Sequence, residues 1–246
     1  MGRLLRPRAV IFDLDGTILD TMSLWTRVDA RLCERICGSV RLSSAGLSAL
    51  RARSLAAHAH DPDPYESFCG DLARACGSAL TAAEAHAERR RISREMLRRE
   101  AMPKPGAGEA LRALAQAGVR LAVATTTKRA NIPIYASVNP HTASAVPFSA
   151  FSVILTREDV SAIKPDPEVY RLALERLSLP AEACLAVEDS LPGITAARAA
   201  GIRTAAIADA ASVAERDEIA SLAVGFFESW KDLGAFLLRA AGGFAV

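Results

Sequence analysis

The sequence predicts a doubly wound α/β fold, a parallel sheet with helices on both faces, into which a helical segment is inserted. Short apolar runs typical of buried strands alternate with helical patterns along most of the 246 residues, and this alternation indicates βα units. Between residues 21 and 101 the alternation stops, and only helical patterns rich in Ala, Arg and Leu remain. The helical insertion therefore follows the first strand.

Five segments are predicted as strands because their apolar runs are short and bounded by turn residues: 9–12, 119–125, 151–155, 184–187 and 202–207. Helices are expected between them, with one ending before Gly118, one beginning near Pro167 and one ending at Gly201. The segment 128–147 contains prolines that break helices, so the helix expected there is short or interrupted.

Composition limits the classes of function. Half of the residues are apolar, which is enough for a packed core. The net charge of +2 gives no indication of nucleic-acid binding, and no apolar run approaches the roughly 20 residues that span a bilayer. The N-terminal segment lacks the long apolar stretch of a signal peptide. We therefore expect a cytoplasmic protein without membrane or nucleic-acid partners, and no pattern indicates an oligomeric state.

The cysteines and one arginine-rich run have ordinary explanations. The five cysteines form no Cys-x-x-Cys pair, and their odd number argues against a disulfide framework or a zinc site. Small buried thiols are expected instead. The run 89–94 is rich in arginine and lies among glutamates, so a solvated helix face is expected.

The strongest chemical signal is an apolar strand that ends in Asp13 and Asp15, followed by Gly16. Ligands of parallel sheets bind beyond the carboxyl ends of the strands, where Asp13 is expected. A carboxylate there can attack phosphorus and split the displacement into two steps. Because two anions repel a phosphate, a cation is required, and oxygen ligands favour Mg²⁺. Asp15 can protonate the leaving oxygen and then deprotonate the attacking water.

Three later positions suit the same chemistry. Thr125 ends a predicted strand and Thr126 follows it, and their hydroxyls can donate to phosphate oxygens. Lys164 supplies a positive charge for the phosphoryl group. Glu188 and Asp189 follow another strand and can hold the magnesium ion from the opposite side.

These four motifs occur in the order used by the haloacid dehalogenase (HAD) superfamily. From about residue 9 to residue 207 the sequence resembles its capped phosphatase branch, which includes β-phosphoglucomutase-like, phosphoglycolate phosphatase-like and CbbY-type proteins. The resemblance implies a HAD-like Rossmannoid core at 1–20 and 102–246 and an α-helical cap at 21–101. The dehalogenases of the superfamily lack an acid at the position of Asp15, so phosphate ester chemistry is expected.

The resemblance also implies a role for each motif residue. Asp13 is the nucleophile and a metal ligand, and Asp15 is the acid/base, whose backbone carbonyl binds magnesium. Thr125 and Thr126 bind the phosphoryl group, and Lys164 bridges the nucleophile and the phosphate.

Roles for the remaining residues are partly open. Asp189 is implied as a metal ligand, and Glu188 either ligates the metal or supports a ligand. In the cap, Trp25 either packs in the core or forms an apolar wall over the substrate. Arg51 or Arg53 either binds a carboxylate or second phosphate of the substrate, or has a structural role.

The predicted function is hydrolysis of a small phosphorylated metabolite, of the sugar phosphate or phosphoglycolate type, by a magnesium-dependent phosphatase with an aspartyl-phosphate intermediate. A β-phosphoglucomutase-like sugar phosphomutase is one alternative, disfavoured because such mutases carry a cap histidine where this sequence has Trp25. A protein that binds phosphometabolites without turnover is another. Phosphonatases are excluded because 21–101 contains no lysine, and receiver domains because they place the acid pair and the phosphate acceptor in the reverse order.

Overall fold

The computed structural model describes residues 6–38 and 42–242. Its strands, in chain order, are β1 (Ala9–Phe12), β2 (Leu19–Asp20), β3 (Met102–Pro103), β4 (Arg120–Ala124), β5 (Phe151–Leu155), β6 (Cys184–Glu188), β7 (Arg203–Ile207) and β8 (Phe226–Phe227). Six strands form a parallel sheet in the order β5-β4-β1-β6-β7-β8, and β2 pairs with β3 in an antiparallel pair.

The helices, in chain order, are α1 (Met22–Ile36), α2 (Ser44–Ala57), α3 (Pro64–Ala75), α4 (Ala82–Glu100), α5 (Ala107–Gln116), α6 (Pro140–Ala145), α7 (Glu168–Leu177), α8 (Leu191–Ala199), α9 (Arg216–Leu222) and α10 (Trp230–Ala240). The first four lie between β2 and β3 in sequence, and the others alternate with strands of the sheet. The predicted doubly wound α/β fold with a helical insertion is therefore confirmed. In the part of the chain that the structure describes, none of the helices is long and apolar enough to cross a membrane.

The central strand β1 is covered on both faces and lies between β4 and β6 in the sheet. All four of its side chains are fully buried. The sequence of a parallel strand that is buried on both faces is a continuous apolar run, without alternating polar residues. This run made β1 predictable. All five predicted strands occur, with ends that differ by at most one residue. The two-residue strands β2, β3 and β8 were missed because they are too short to leave a periodic pattern.

The topological switch point of the sheet lies between β1 and β6. From β1 the chain proceeds to β4 and β5 on one side, and it then returns to β6 on the other side. Phe12 of β1 is paired with Val187 of β6, and Asp13 N donates to the Val187 carbonyl at 3.0 Å. Asp13 and Glu188 therefore emerge side by side at the carboxyl edge, where open α/β sheets bind their ligands.

The chain divides into two compact units, Ser23–Glu100 and a core composed of Met1–Met22 and Ala101–Val246. The first unit contains only helices among its described residues. Its helix α3 begins with Pro64, and the side chain of Asp63 caps it by accepting a hydrogen bond from Tyr65 N at 3.2 Å.

The cysteines of the helical unit depart from expectation. A disulfide joins Cys37 to Cys76, whereas Cys33, Cys69 and Cys184 are buried free thiols. The prediction of buried thiols is therefore wrong for two of the five residues. The bonded pair is separated by 39 residues, and the ends of α1 and α3 bring its Cα atoms to 4.7 Å. A contact between distant segments leaves no local sequence motif.

The proline-containing segment between β4 and β5 has no long helix, as predicted. It consists of a 3₁₀ turn at Arg129–Asn131, a π-helical turn at Ile134–Val138 and the six-residue helix α6. Pro140 occupies the first turn of α6, where its missing N–H is not needed. The side chain of Asn139 caps α6 by accepting hydrogen bonds from its first backbone N–H groups.

Trp230, at the start of α10, attaches the last described helix to the loop that follows β1. Its side chain is buried and stacks on Phe12, with ring centroids 5.9 Å apart. Its Nε1 donates to the carbonyl of Thr17 at 2.8 Å. The loop after β1 thus depends on a helix more than 200 residues away in sequence.

We predict that Trp230→Phe destabilises the protein by about 1–3 kcal/mol, because the buried carbonyl of Thr17 loses this donor while most of the aromatic packing remains. Urea unfolding followed by circular dichroism measures the change. Lys231→Ala, an exposed neighbour on α10, is the control and should alter the free energy of unfolding by less than about 0.5 kcal/mol. Wild-type stability in Trp230→Phe would contradict this role.

Candidate active site

Lys164 lies at the centre of a buried charge cluster at the carboxyl edge of the sheet. Its Nζ donates to Asp13 Oδ1 and Glu188 Oε1, both at 2.6 Å, and to the carbonyl of Ala124 at 2.8 Å. Burial lowers the pKa of this ammonium group, but Asp13 and Glu188 more than offset that effect, so its pKa lies above the ordinary value. Lys164 is therefore a fixed positive charge that joins the ends of β1, β4 and β6.

The cluster contains more acid than base. Oxygens of Asp13, Glu188 and Asp189 lie within 4.8 Å of one another, and all three residues are buried. Burial is the main cause that raises the pKa of Asp13 to about 7. Burial, with the charges of Asp13 and Glu188, also raises the pKa of Asp189 well above its ordinary value. One lysine does not balance three carboxylates, so the site favours a further cation.

The two oxygens of Glu188 show that a metal ion fits this site. Oε1 accepts hydrogen bonds from Lys164 Nζ and from the Tyr170 hydroxyl, whereas Oε2 is buried and has no hydrogen-bond partner among the described residues. A buried carboxylate oxygen without a donor is costly unless a cation binds it. Together with Asp13 and Asp189, Glu188 offers the oxygen ligands that divalent ions such as Mg²⁺ prefer.

Two glycines leave room for these carboxylates. A Cβ at Gly16 would lie 2.3 Å from Asp189 Oδ2, and a Cβ at Gly193 would lie 2.1 Å from Glu188 Oε2. Gly16 also has a φ of 90°, which other residues rarely adopt. The Thr17 hydroxyl donates to Asp189 Oδ1 at 2.8 Å. The orientation of both acids therefore depends on the loop after β1 and on the first turn of α8.

Asp15 receives hydrogen bonds from two hydroxyl groups. Thr21 Oγ1 and the Tyr135 hydroxyl both donate to Asp15 Oδ1, at 2.5 Å and 2.9 Å. Both donor residues are fully buried. Burial, followed by the charge of Asp15, raises the pKa of Tyr135 well above its ordinary value. The phenol is therefore protonated at neutral pH and remains a donor.

The two threonines predicted to bind phosphate follow β4. Thr125 N donates to the carbonyl of Leu155 at 3.0 Å, and Thr125 Oγ1 accepts a hydrogen bond from Thr127 N at 3.1 Å. A hydroxyl that accepts from a backbone N–H still has its own proton to donate. Thr126 is partly exposed in the same turn.

The residues predicted to govern specificity belong to the helical unit. The guanidinium carbon of Arg89 lies 5.2 Å from the centroid of the Trp25 ring. Arg51 forms a salt bridge with one oxygen of Asp29 at 2.9 Å, and Arg89 binds the other oxygen at 2.8 Å. Arg53 is exposed. The prediction of a solvated face is wrong for Arg89, which is buried because it pairs with the buried Asp29.

The structure brings Asp13, Lys164, Glu188 and Asp189, all predicted site residues, into one cluster. Several residues that touch this cluster or Asp15 were not singled out from the sequence: Thr17, Thr21, Tyr135, Tyr170 and Gly193. Thr17 and Gly193 lie within four residues of Asp15 and Asp189 in the sequence and could have been found there. The tyrosines lie on elements whose buried face becomes known only from the fold.

Comparison with known proteins places this architecture in a family. A sequence model described as haloacid dehalogenase-like hydrolase matches residues 7–201. The chain is 31% identical over 214 residues to Protein CbbY of Cereibacter sphaeroides, and the match covers 79% of this chain and 81% of that protein. It is 28% identical over 208 residues to the phosphorylated carbohydrates phosphatase of Thermotoga maritima, covering 79% and 82% of the two chains.

A solved structure shows the same relationship. The crystal structure of a CbbY mutant from Rhodobacter sphaeroides in complex with xylulose-(1,5)bisphosphate is 26% identical, with a TM-score of 0.73, and the match covers 93% of this chain and 96% of that chain. The predicted resemblance to the capped phosphatase branch is confirmed by these matches. The chain belongs to the haloacid dehalogenase-like hydrolase family.

Proposed function

We propose that this chain is a magnesium-dependent phosphatase that hydrolyses a small phosphorylated metabolite through an aspartyl phosphate on Asp13. The proposal is carried by the position of Lys164 Nζ, 2.6 Å from both Asp13 Oδ1 and Glu188 Oε1. This geometry joins a nucleophile, a positive charge and an acidic cluster at the switch point of the sheet. Membership of a hydrolase family supports it.

The first proposed step transfers the phosphoryl group to Asp13. A carboxylate oxygen of Asp13 attacks phosphorus while the bond from phosphorus to the leaving oxygen breaks. Asp15 gives its proton to that oxygen, so the product leaves as an alcohol. Lys164 and the hydroxyls of Thr125 and Thr126 stabilise the charge on the phosphoryl oxygens.

The second proposed step removes the phosphoryl group from the enzyme. Water attacks phosphorus, and the bond from phosphorus to Asp13 breaks, which releases inorganic phosphate. Asp15, now a carboxylate, takes the proton from the water and becomes an acid again. The overall change converts a phosphate ester and water into an alcohol and phosphate.

The residues proposed to hold the magnesium ion are Asp13, Asp189 and Glu188, together with the backbone carbonyl of Asp15. When bound, Mg²⁺ supplies positive charge that offsets the repulsion between these carboxylates and a phosphate ester. The burial of Asp13, Glu188 and Asp189 supports this part of the proposal. In a site of low dielectric constant, a carboxylate and a phosphate repel each other far more strongly than in water.

The substrate class is proposed from the relatives. One relative is named for phosphorylated carbohydrates, and a structural neighbour holds xylulose-(1,5)bisphosphate. Similarity to both supports a phosphorylated sugar, or a comparably small compound such as phosphoglycolate. The helical insertion at 21–101 is proposed to be the cap that selects among them, with Trp25, Arg51 and Arg53 as candidate contacts.

Phosphate release from a panel of sugar phosphates, sugar bisphosphates, phosphoglycolate and p-nitrophenyl phosphate tests the function. Each compound is assayed with MgCl₂ and with EDTA. A phosphatase is expected to release phosphate from at least one metabolite, only with magnesium, at a kcat/KM of about 10⁴ M⁻¹s⁻¹ or more. A lack of release from every compound, the aryl phosphate included, would contradict the proposal and favour a protein that only binds.

Asp13→Asn is predicted to lower kcat by at least about 10³-fold, because an amide does not attack phosphorus. The fold should persist, since asparagine has the same shape and removes one charge from a crowded acidic cluster. Thermal unfolding verifies this point. Asp20→Asn, which changes an exposed acid, is the matched control and should keep the wild-type rate. Turnover by Asp13→Asn at a comparable rate would refute the nucleophile.

Gly193→Ala is predicted to weaken activation by magnesium about 10–100-fold, because the new Cβ displaces the Glu188 carboxylate from its position over α8. The measurement is the MgCl₂ concentration that gives half-maximal phosphate release. Thr195→Ala, at an exposed position on α8, is the control and should leave that concentration unchanged. An unaltered magnesium dependence in Gly193→Ala would show that the Glu188 position does not matter for the metal.

A further inference from the structure

The hydrogen bonds that reach Asp15 belong to a buried chain of side chains. Asn131 Nδ2 donates to Thr127 Oγ1 at 3.1 Å, and Thr127 is hydrogen-bonded to the Tyr135 hydroxyl. That hydroxyl donates to Asp15 Oδ1 at 2.9 Å. Asn131, Thr127 and Tyr135 are all buried. The carboxyl group is thus connected to the loop after β4, which also carries the predicted phosphate-binding threonines.

The direction of these bonds follows from the first donor. The amide nitrogen of Asn131 can only donate, so Thr127 Oγ1 accepts at that contact and directs its own proton to the oxygen of Tyr135. The proton of Tyr135 is then directed to Asp15 Oδ1. The chain therefore presents a donor to the carboxyl group.

The irregular segment after β4 holds Tyr135 in place. The residue lies in the π-helical turn Ile134–Val138, and the Thr142 hydroxyl donates to its carbonyl at 2.6 Å. At the end of the turn, Asn139 Nδ2 donates to the carbonyl of Ala101 at 3.0 Å. π-helical turns are rare in proteins, but many of those that occur lie at functional sites. In this irregular segment the backbone of Tyr135 is therefore anchored, and its hydroxyl points at Asp15.

A second hydroxyl reaches the same oxygen from a different part of the chain. Thr21 Oγ1 donates to Asp15 Oδ1 at 2.5 Å. The two donors thereby fix Oδ1 as the oxygen of Asp15 that faces Tyr135 and Thr21. Donors from two separate segments also restrict rotation of the carboxyl group.

We propose that Tyr135 is a positioning residue for Asp15. Together with Thr21 it holds Oδ1 and thereby fixes the orientation of the carboxyl group that gives its proton to the leaving oxygen. The proposal rests on the proposed phosphatase function, in which Asp15 is the acid. Without the Tyr135 hydroxyl, Asp15 rotates more freely, and proton transfer to the leaving oxygen is slowed.

Two substrates that differ in their need for a proton test this role. The kcat/KM value reports the steps up to departure of the leaving group, and an alkoxide from a sugar phosphate requires the proton far more than p-nitrophenolate does. Tyr135→Phe is expected to lower kcat/KM for the best sugar phosphate about 10–100-fold. For p-nitrophenyl phosphate the expected loss is less than about 3-fold. An equal loss for both substrates, or none, would overturn the proposal.

In an Asp15→Asn background, a residue that only positions Asp15 should no longer affect the rate. With no acid to orient, adding Tyr135→Phe should change kcat/KM for the sugar phosphate by less than about 2-fold, because residues that act through one another are not additive. A full further loss in the double variant would show that Tyr135 acts independently of Asp15, which overturns the proposal.

The failures of the two proposals are distinguishable. If the wild type releases no phosphate, the proposed function fails and this inference fails with it. If the wild type releases phosphate as proposed but Tyr135→Phe shows no substrate dependence, only this inference fails. Thermal unfolding verifies the fold of each variant. Should Tyr135→Phe not fold, Thr21→Val removes the other donor to Oδ1 and must show the same difference between substrates; its absence overturns the proposal.

Discussion

Lys164 makes hydrogen bonds to the ends of three strands at once, and the burial of its charge constrains everything around it. An ammonium group at this depth needs anions beside it, which Asp13 and Glu188 supply at 2.6 Å. Together with Asp189 they form a group of three buried acids beside one lysine. A site with this imbalance is poorly suited to a stable core, and it favours a divalent cation, without which the acids would repel a phosphate ester.

Residues that contact Asp189 and Glu188 hold these acids in position. Tyr170 donates to the same oxygen of Glu188 that Lys164 binds, so both hydrogen bonds hold Oε1 of this carboxylate. Thr17 orients Asp189 through its side chain and is itself held by Trp230 through its carbonyl. A contact between the loop after β1 and the distant helix α10 therefore supports Asp189, a proposed metal ligand that follows β6. Stability and the proposed chemistry share these residues.

The features that could be predicted are those that short, local sequence patterns determine. The run that forms β1, the acids that follow it and the acids at the end of β6 were predictable as one site, because the carboxyl ends of parallel strands meet at one edge. The Cys37–Cys76 bond and the burial of Arg89 were not foreseen, since each depends on which helix faces which. Tyr135 escaped for a related reason. The prolines around it indicated a broken helix, but only the fold shows that the break turns a tyrosine towards Asp15.

The central claim is that Asp13 becomes phosphorylated during turnover. Mixing the enzyme with its best substrate and magnesium, quenching in acid within milliseconds and mapping the peptides by mass spectrometry tests it most directly. The account predicts a phosphoryl group on the peptide that contains Asp13, bound to Asp13 itself, and its disappearance as substrate is exhausted. A phosphoryl group on any other residue, formed and lost at the rate of turnover, would contradict the account.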